Sequence, residues 1–330
     1  MKKHIVVAAG LAVLSTGAFA TKARMTALNQ DASFGSFYMD DERNAFRSAG
    51  AFSGNYVYLE HGTSADAAGG VAGSAEGGFF REGGSLSYGL YLNSDTYNNI
   101  TESASPVESG RADFFVSGNS GMKWGARVGY TSLVREASNI DVSAFDFSVN
   151  ADLGGANVWF TMVPGVETLT GVETEADMRL GATYGMGDHT LFAEYDSEGG
   201  AKDADAQTTL VVGAARTHST DAGMWFYDIS YSMVTAVANQ DGTDRTSLPV
   251  TFGFETKATS WLTWRASIKQ SLMGALDANG SETSARTTNL GVGASLTWGS
   301  LRVDGTVNAA NGANLGSNNF MSNVSAVYNF

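Results

Sequence analysis

From Asn55 to the carboxyl end the side chains alternate between apolar and polar almost without interruption, and this period of two restricts the chain more than any other feature. Successive residues of a strand point to opposite faces, so alternation means strands with two different environments. In 286–298, Leu290, Val292, Ala294, Leu296 and Trp298 share one face, and Asn289, Gly291, Gly293, Ser295 and Thr297 the other. In 222–234, Trp225, Tyr227, Ile229, Tyr231 and Met233 oppose Asp228, Ser230 and Ser232; in 141–152, Phe145, Phe147 and Val149 oppose Asp146, Ser148 and Asn150. Segments of this kind predict strands at 55–61, 76–82, 85–93, 110–118, 122–132, 141–152, 155–164, 176–186, 188–196, 206–217, 222–234, 247–258, 260–270, 286–298, 300–308 and 319–330. That makes sixteen, or fourteen if the short Gly-rich first two are discounted.

The connections alternate in length. Tight ones fall at Gly83-Gly84, Asn119–Gly121, Leu153-Gly154, Gly187, His218–Asp221, Thr259 and Gly299, and longer ones at 62–75, 94–109, 133–140, 165–175, 197–205, 235–246, 271–285 and 309–318. Short turns at one end and long loops at the other are the layout of bacterial outer-membrane barrels. A soluble sandwich has no reason to obey it. An even strand count places both termini on the periplasmic side. The expected fold is all-β: an antiparallel, up-and-down transmembrane β-barrel over residues 55–330, preceded by a short, partly helical segment.

Composition agrees. There are 40 Gly and only 3 Pro, and a proline would remove ladder hydrogen bonds. The chain has no Cys, so disulfides and thiolate metal sites are excluded. Hydrophobic residues make up 43 % but are scattered singly, as suits a wall with one greasy face. Lys2 and Lys3, the apolar run Ile5–Leu14 and Ala18-Phe19-Ala20 read as a secretory signal peptide spanning 1–20. The ten-residue apolar run is too short to cross a bilayer, and nothing after it approaches the roughly 20 apolar residues a spanning helix needs. The net charge of −14 becomes −16 once Lys2 and Lys3 are removed, a balance that argues against nucleic acid. Outer loops are acidic (Glu102, Glu108, Glu173, Asp203, Asp241, Asp277), which permits divalent-cation bridging to anionic head groups.

Residues 21–54 do not alternate. Lys22–Leu28 is compatible with a helix, and Asp40 or Asp41 could cap a second through Arg47. The segment is either a periplasmic tail or docked in the lumen; its length and the apolar stretch Ala49–Phe52 lean towards docking.

With the apolar face outward, the lumen candidates are Arg111, Asp113, Lys123, Arg127, Asp146, Arg179, Glu194, Asp228, Glu255, Arg265, Lys269, Arg302 and Asp304. Two readings stay open: facing arcs of charge across a wet pore, or pairs that fill a plugged one. Trp124, Tyr130, Tyr184, Trp225, Tyr231, Trp264, Trp298 and Tyr328 are candidates for an aromatic girdle at the bilayer interfaces. Catalysis has little support. His218, Ser219 and Asp221 supply the residue types of a hydrolytic triad, but neighbours on one turn do not reach each other as a triad must. No cofactor, metal or catalytic residue is expected.

The last strand, with Val324, Ala326, Tyr328 and Phe330 on one face and an aromatic at the end, resembles the C-terminal insertion signal of bacterial outer-membrane barrels. The resemblance implies delivery by the barrel-assembly machinery, the outer membrane as location, and contact with its lipids and lipopolysaccharide. Two further stretches, Ala23–Leu28 and Ala75–Arg81 with Leu86–Leu92, resemble the PopA-like major outer-membrane proteins of predatory bacteria. That family implies a homo-oligomer of barrels enclosing lipid between subunits, with lumens that need not be open. Asp40–Phe46 is similar to the plug region of the FadL-like transporters of hydrophobic molecules. Those carry Asn-Pro-Ala shortly afterwards, whereas Arg47-Ser48-Ala49 stands here, which puts fatty-acid uptake in doubt. Porin-like diffusion of small solutes, or a lipid-enclosing structural barrel, is the leading functional expectation.

Overall fold

The computed structural model describes residues 21–62, 75–94, 108–135, 140–165, 173–199, 206–235, 243–278, 281–284, 286–310 and 323–330. The predicted signal peptide, residues 319–322 and the acidic loop residues Glu102, Asp203 and Asp241 lie outside these.

Two short helices, α1 (Lys22–Ala27) and α2 (Asn44–Arg47), precede the strands. The first half of the sheet is β1 (Tyr56–Gly62), β2 (Ala75–Arg81), β3 (Leu86–Leu92), β4 (Glu108–Asn119), β5 (Lys123–Arg135), β6 (Ile140–Asp152), β7 (Ala156–Val163) and β8 (Asp177–Met186). The second half is β9 (His189–Glu198), β10 (Gln207–Thr220), β11 (Gly223–Thr235), β12 (Thr243–Lys257), β13 (Leu262–Ala278), β14 (Ser281–Ser284), β15 (Thr288–Trp298), β16 (Leu301–Ala310) and β17 (Asn323–Asn329).

Apart from β14, each strand pairs antiparallel with its neighbours in sequence, and β1 pairs with β17, so the sheet closes on itself. Both β14 and β15 pair with β13, at Ala275–Ala278 and Leu262–Gln270. They are two pieces of one stave, which makes the barrel sixteen-stranded. All sixteen segments read from alternation are strands. The difference lies at the loop end: 271–285, expected as a loop, is mostly the extension of β13 and its partner β14. The run Ser271-Leu272-Met273-Gly274-Ala275-Leu276 sustains pairing with β12 up to Thr243.

Turn chemistry fixes one end. Gly187, at φ +64°, closes the β8–β9 turn in a left-handed conformation that a side chain would strain. The amide of Phe330 donates to the Asn55 carbonyl at 3.1 Å, so the last residue meets the first strand at this same end.

The outer wall is apolar. Val128, Tyr130, Phe145, Phe147, Phe160, Leu180, Ile229, Phe252, Ile268 and Leu290 are exposed there. On the other face sit Asp113, Arg127, Asp146, Ser148, Thr161, Thr251, Arg265, Ser267, Ser295 and Asp304, all buried in the interior. The inner face is not polar throughout, contrary to the assignment from alternation. Tyr56, Tyr58, Phe80, Tyr91, Phe115 and Val327 point inward and are buried. Strands β1 to β3 carry apolar residues on both faces, as in Tyr56-Val57-Tyr58-Leu59, because this part of the wall is covered on its inner side as well.

A charge placed on the outward face should cost stability according to depth. Phe147→Arg, in mid-strand, is expected to lose about 2–4 kcal/mol in reversible unfolding from lipid vesicles, and Leu301→Arg, at the turn end, about 0–1 kcal/mol. Equal penalties at the two depths would contradict a lipid-facing wall.

Candidate functional site

What covers the inner wall is the segment before β1. Residues 21–54 are folded into the lumen, with Ala23, Met25, Leu28, Ala45, Phe46 and Ala49 without solvent exposure. Thr21 caps α1 through its hydroxyl, which accepts from the Arg24 amide at 3.2 Å. The second helix begins at Asn44, not at Asp41, and has no side-chain cap. Asp41 instead accepts from the Arg43 amide at 2.8 Å and receives the Arg24 guanidinium.

Two apolar contacts seat this plug. Phe46 meets the edges of Tyr91 and Phe115, with ring centres 5.1 and 5.4 Å apart, and Phe52 lies 5.0 Å from Phe80. Each such aromatic pair contributes about 0.5–1.5 kcal/mol beyond its buried area. On the opposite side, Met25, Leu28 and Met39 pack on Phe226. The wall makes room with glycine: a Cβ on Gly125 would sit 2.1 Å from the Gly50 nitrogen, and one on Gly291 would sit 2.4 Å from the Ala27 oxygen.

Polar ties complete the seat. All four cations of the segment reach wall carboxylates: Lys22 meets Glu76, Arg24 meets Glu255 at 2.9 Å, Arg43 meets Glu60 at 3.3 Å, and Arg47 meets Glu194 at 3.2 Å. Tyr38 donates to Asp228 at 2.6 Å, Ser48 to Asn157 at 3.1 Å, and the Gly50 amide to Asn150 at 2.7 Å. Buried charges persist only when paired and hydrogen-bonded, so these pairs fix position more than they add stability.

The lumen candidates fall into two ion clusters and a remainder. Arg111 and Arg127 bridge Asp113 and Asp146, with Arg111 2.7 and 2.8 Å from the two carboxylates. Arg265 joins Glu255 and Asp304 at 3.0 Å each, Arg302 reaches Asp304 at 3.0 Å, and Arg24 of the plug completes the set. Arg179 pairs with Asp196 and lies 3.6 Å over the Phe34 ring. Lys269 lines a cavity with Asp228. Lys123 stands apart, exposed beside the β4–β5 turn. Alternation placed these residues on one face but gave no sign that Glu60, Glu76, Tyr58 and Tyr91 form the seat for Arg43. Tyr58 and Tyr91 approach its guanidinium at 3.2 and 3.4 Å.

Among the described residues two cavities lie beside the plug, along β6 to β13. The larger, about 750 Å³, lies towards the loop end, where Val234, Arg245 and Ala275 line it. The smaller, about 310 Å³, lies towards the turn end, lined by Asp152, Gly155, Asn157 and Trp159.

Of the aromatic candidates, Trp124, Tyr184, Trp225, Trp264, Trp298 and Tyr328 occupy outward positions near the turn end. Tyr130 and Tyr231 are also outward, each six residues further along its strand than Trp124 or Trp225. Val324, Ala326, Tyr328 and Phe330 share the outward face of the C-terminal strand, and Val327 and Ser325 are buried inside. His218 sits at the turn end with Nδ1 3.3 Å from Asp188 Oδ2 and its ring 5.4 Å from Trp225.

No protein-family model and no curated protein matches the chain. Solved structures do. A bacterial polysaccharide outer-membrane secretin overlaps with a TM-score of 0.56 at 8 % identity, over 84 % of this chain and 97 % of that one. A porin overlaps with a TM-score of 0.44 at 13 % identity, over 84 % and 99 %. The toluene transporter TodX of P. putida overlaps with a TM-score of 0.44 at 12 % identity, over 87 % and 94 %. The fold is that of a porin-like outer-membrane β-barrel. This rests on the closed sixteen-strand sheet and the overlap with the secretin.

Two plug carboxyls make seating depend on pH. Burial pushes Asp41 up to about 7 against the opposing pull of Arg24, and pushes Glu42 up to about 8 despite its hydrogen bond from Tyr56. Both hold a proton more tightly when seated than in a free chain, where their values lie near 4. Their contribution to seating is complete below about 4 and is lost as pH rises through about 7 and then about 8. Amide-exchange protection across 21–54, corrected for intrinsic rates, should be higher at pH 6 than at pH 9, and Glu42→Gln should reduce the difference. Equal protection at the two pH values would show that these carboxyls do not govern seating.

Proposed function

We propose that this chain is an outer-membrane barrel that passes small polar solutes passively, through a lumen narrowed by its own N-terminal segment. The observation that carries this reading is the pair of cavities left between the plug and the β7–β13 wall. Their lining sets hydroxyls, amides and paired charges among apolar groups: Ser230, Ser232, Thr251 and Ser271 beside Phe37, Phe192 and Val211 in the larger, and Asn157, Thr183 and Thr190 beside Phe37 and Trp159 in the smaller. Water-filled paths with such walls discriminate mainly by size and charge. A carrier of hydrophobic molecules would need an apolar cavity. The apolar part of this lumen, around Phe80, Tyr91 and Phe115, is filled by Phe46 and Phe52.

The outer membrane suits the rest of the chain. The outward rings near the turn end, with Tyr130 and Tyr231 about 20 Å further along their strands at ~3.3 Å per residue, are spaced as interfacial belts. The C-terminal strand presents its alternate apolar face to lipid and would serve the assembly machinery as its address. Enclosure of lipid between copies remains a use of the same greasy wall that does not require an open lumen.

Purified protein in a planar bilayer should give single-channel steps smaller than those of an unobstructed sixteen-strand porin. Liposomes containing it should swell in small sugars and not in long oligosaccharides. A silent bilayer together with impermeable liposomes would overturn the transport reading and leave the lipid-enclosing one.

A further inference from the structure

The two cavities are separated by very little. Three plug residues, Phe37, Tyr38 and Arg47, line both. They form a partition between the loop-side and turn-side spaces, and the wall holds it at Phe192, Glu194 and Asp228. The Phe37 ring stacks on Phe192 with centres 4.6 Å apart and planes 6° from parallel, and the Arg47 guanidinium lies 4.0 Å from the centre of the same ring. Arg47 Nε donates to Glu194 Oε2 at 3.2 Å, and the Trp159 indole donates to that same oxygen at 3.0 Å. Tyr38 is tied to Asp228.

We propose that Phe37, Tyr38 and Arg47 are the constriction of the solute path, with Phe37 setting its width and the Arg47–Glu194 pair setting its charge preference. The inference rests on the transport reading above and assigns its selectivity. Aromatic packing and the Arg111–Asp146 cluster fill the β1–β5 side of the described lumen, so a path along β7 to β13 from one cavity to the other passes this partition. The stacked Phe37–Phe192 rings, the Arg47–Glu194 pair and the Tyr38–Asp228 hydrogen bond hold it, with the Tyr38 ring also 5.8 Å from that of Phe226 and Arg47 donating to the Phe34 carbonyl, whereas the β1–β4 side of the plug is anchored by buried rings and by Arg43.

Charge at the narrows is compensated. The larger cavity holds Arg47, Arg245 and Lys269 against Asp31, Glu194 and Asp228. Opposed charges across a narrow polar path leave no net barrier to either sign of ion and favour dipolar guests. The solute class that fits is therefore small, uncharged or zwitterionic and polar. Either charge removed alone should unbalance the path, in opposite senses.

The test is the reversal potential and single-channel conductance of the full-length protein in a salt gradient. Wild type should discriminate weakly between cation and anion. Arg47→Gln should turn it cation-selective and Glu194→Gln anion-selective, and Phe37→Ala should raise the step by about two-fold or more. A merely loosened plug would move both charge variants the same way and would overturn the assignment of selectivity to the pair. A conducting wild type with all three variants unchanged would overturn the constriction and leave the transport reading standing. Silence in every variant would overturn both. Because the chain has no Cys, Phe37→Cys introduces a sole thiol. Its current should fall on adding a methanethiosulfonate reagent, whereas Ser325→Cys, buried beneath the plug on the opposite wall, should not respond. Block of neither places the path elsewhere.

Discussion

Closure of the ladder is the constraint on which everything else here depends. A backbone N–H or C=O left unpaired against hydrocarbon costs several kcal/mol, so a sheet that meets lipid can have no free edge. The closing seam is β1 against β17, seven residue pairs from Tyr56 with Asn329 to Gly62 with Asn323. Once the seam is made, alternation sorts side chains without further instruction. One register fixes which residues are wet, and a slip of one residue would turn Phe145, Phe147 and Val149 inward and Asp146 and Ser148 out.

Closure with sixteen staves also creates a problem. Eight strands can be filled by their own side chains, but sixteen enclose a space that they cannot fill. Here the chain fills most of it with residues 21–54. The result is lopsided. On the side of β1 to β4 the wall is aromatic and the plug answers with Phe46 and Phe52. On the side of β7 to β13 the wall carries more hydroxyls and charges, the plug touches it at separate points such as Phe192 and Phe226, and the two cavities lie between those contacts. The closely packed side is the one where Tyr56, Tyr58, Phe80, Tyr91 and Phe115 cluster, whereas Trp159, Phe192 and Phe226 are spread singly over β7 to β11.

Much of this was legible beforehand, for a physical reason. Period-two alternation, turn glycines and alternating connection lengths are local, so strand number, closure and the outward set could be read from residues such as Leu290, Val292 and Leu296. Docking of the plug was less legible. Nothing in Arg43 or Arg47 names Glu60 or Glu194, because such pairs join positions far apart in the chain. The inward rings were missed because the polar-inside rule was applied to every strand. The signal was present in Tyr56–Leu59, where both faces are apolar, and in Gly125 and Gly291, bare positions on the inner wall that accept another backbone. The acid-to-base ratio of the lumen was visible, but its pairing into two closed clusters was not.

That pairing decides how the interior charge can act. Arg127 is locked between Asp113 and Asp146, and Arg265 between Glu255 and Asp304, all buried except Glu255, which is partly exposed. Fields from such closed sets fall off quickly with distance, because each cation is matched within a few ångströms. Beside the cavities stand Arg47 with Glu194, Asp228 near Lys269, and Arg245 towards the loop end. The barrel thus divides its charge by role. The enclosed clusters hold the plug and the wall in register, and the few groups left beside the cavities are those that a passing solute would meet.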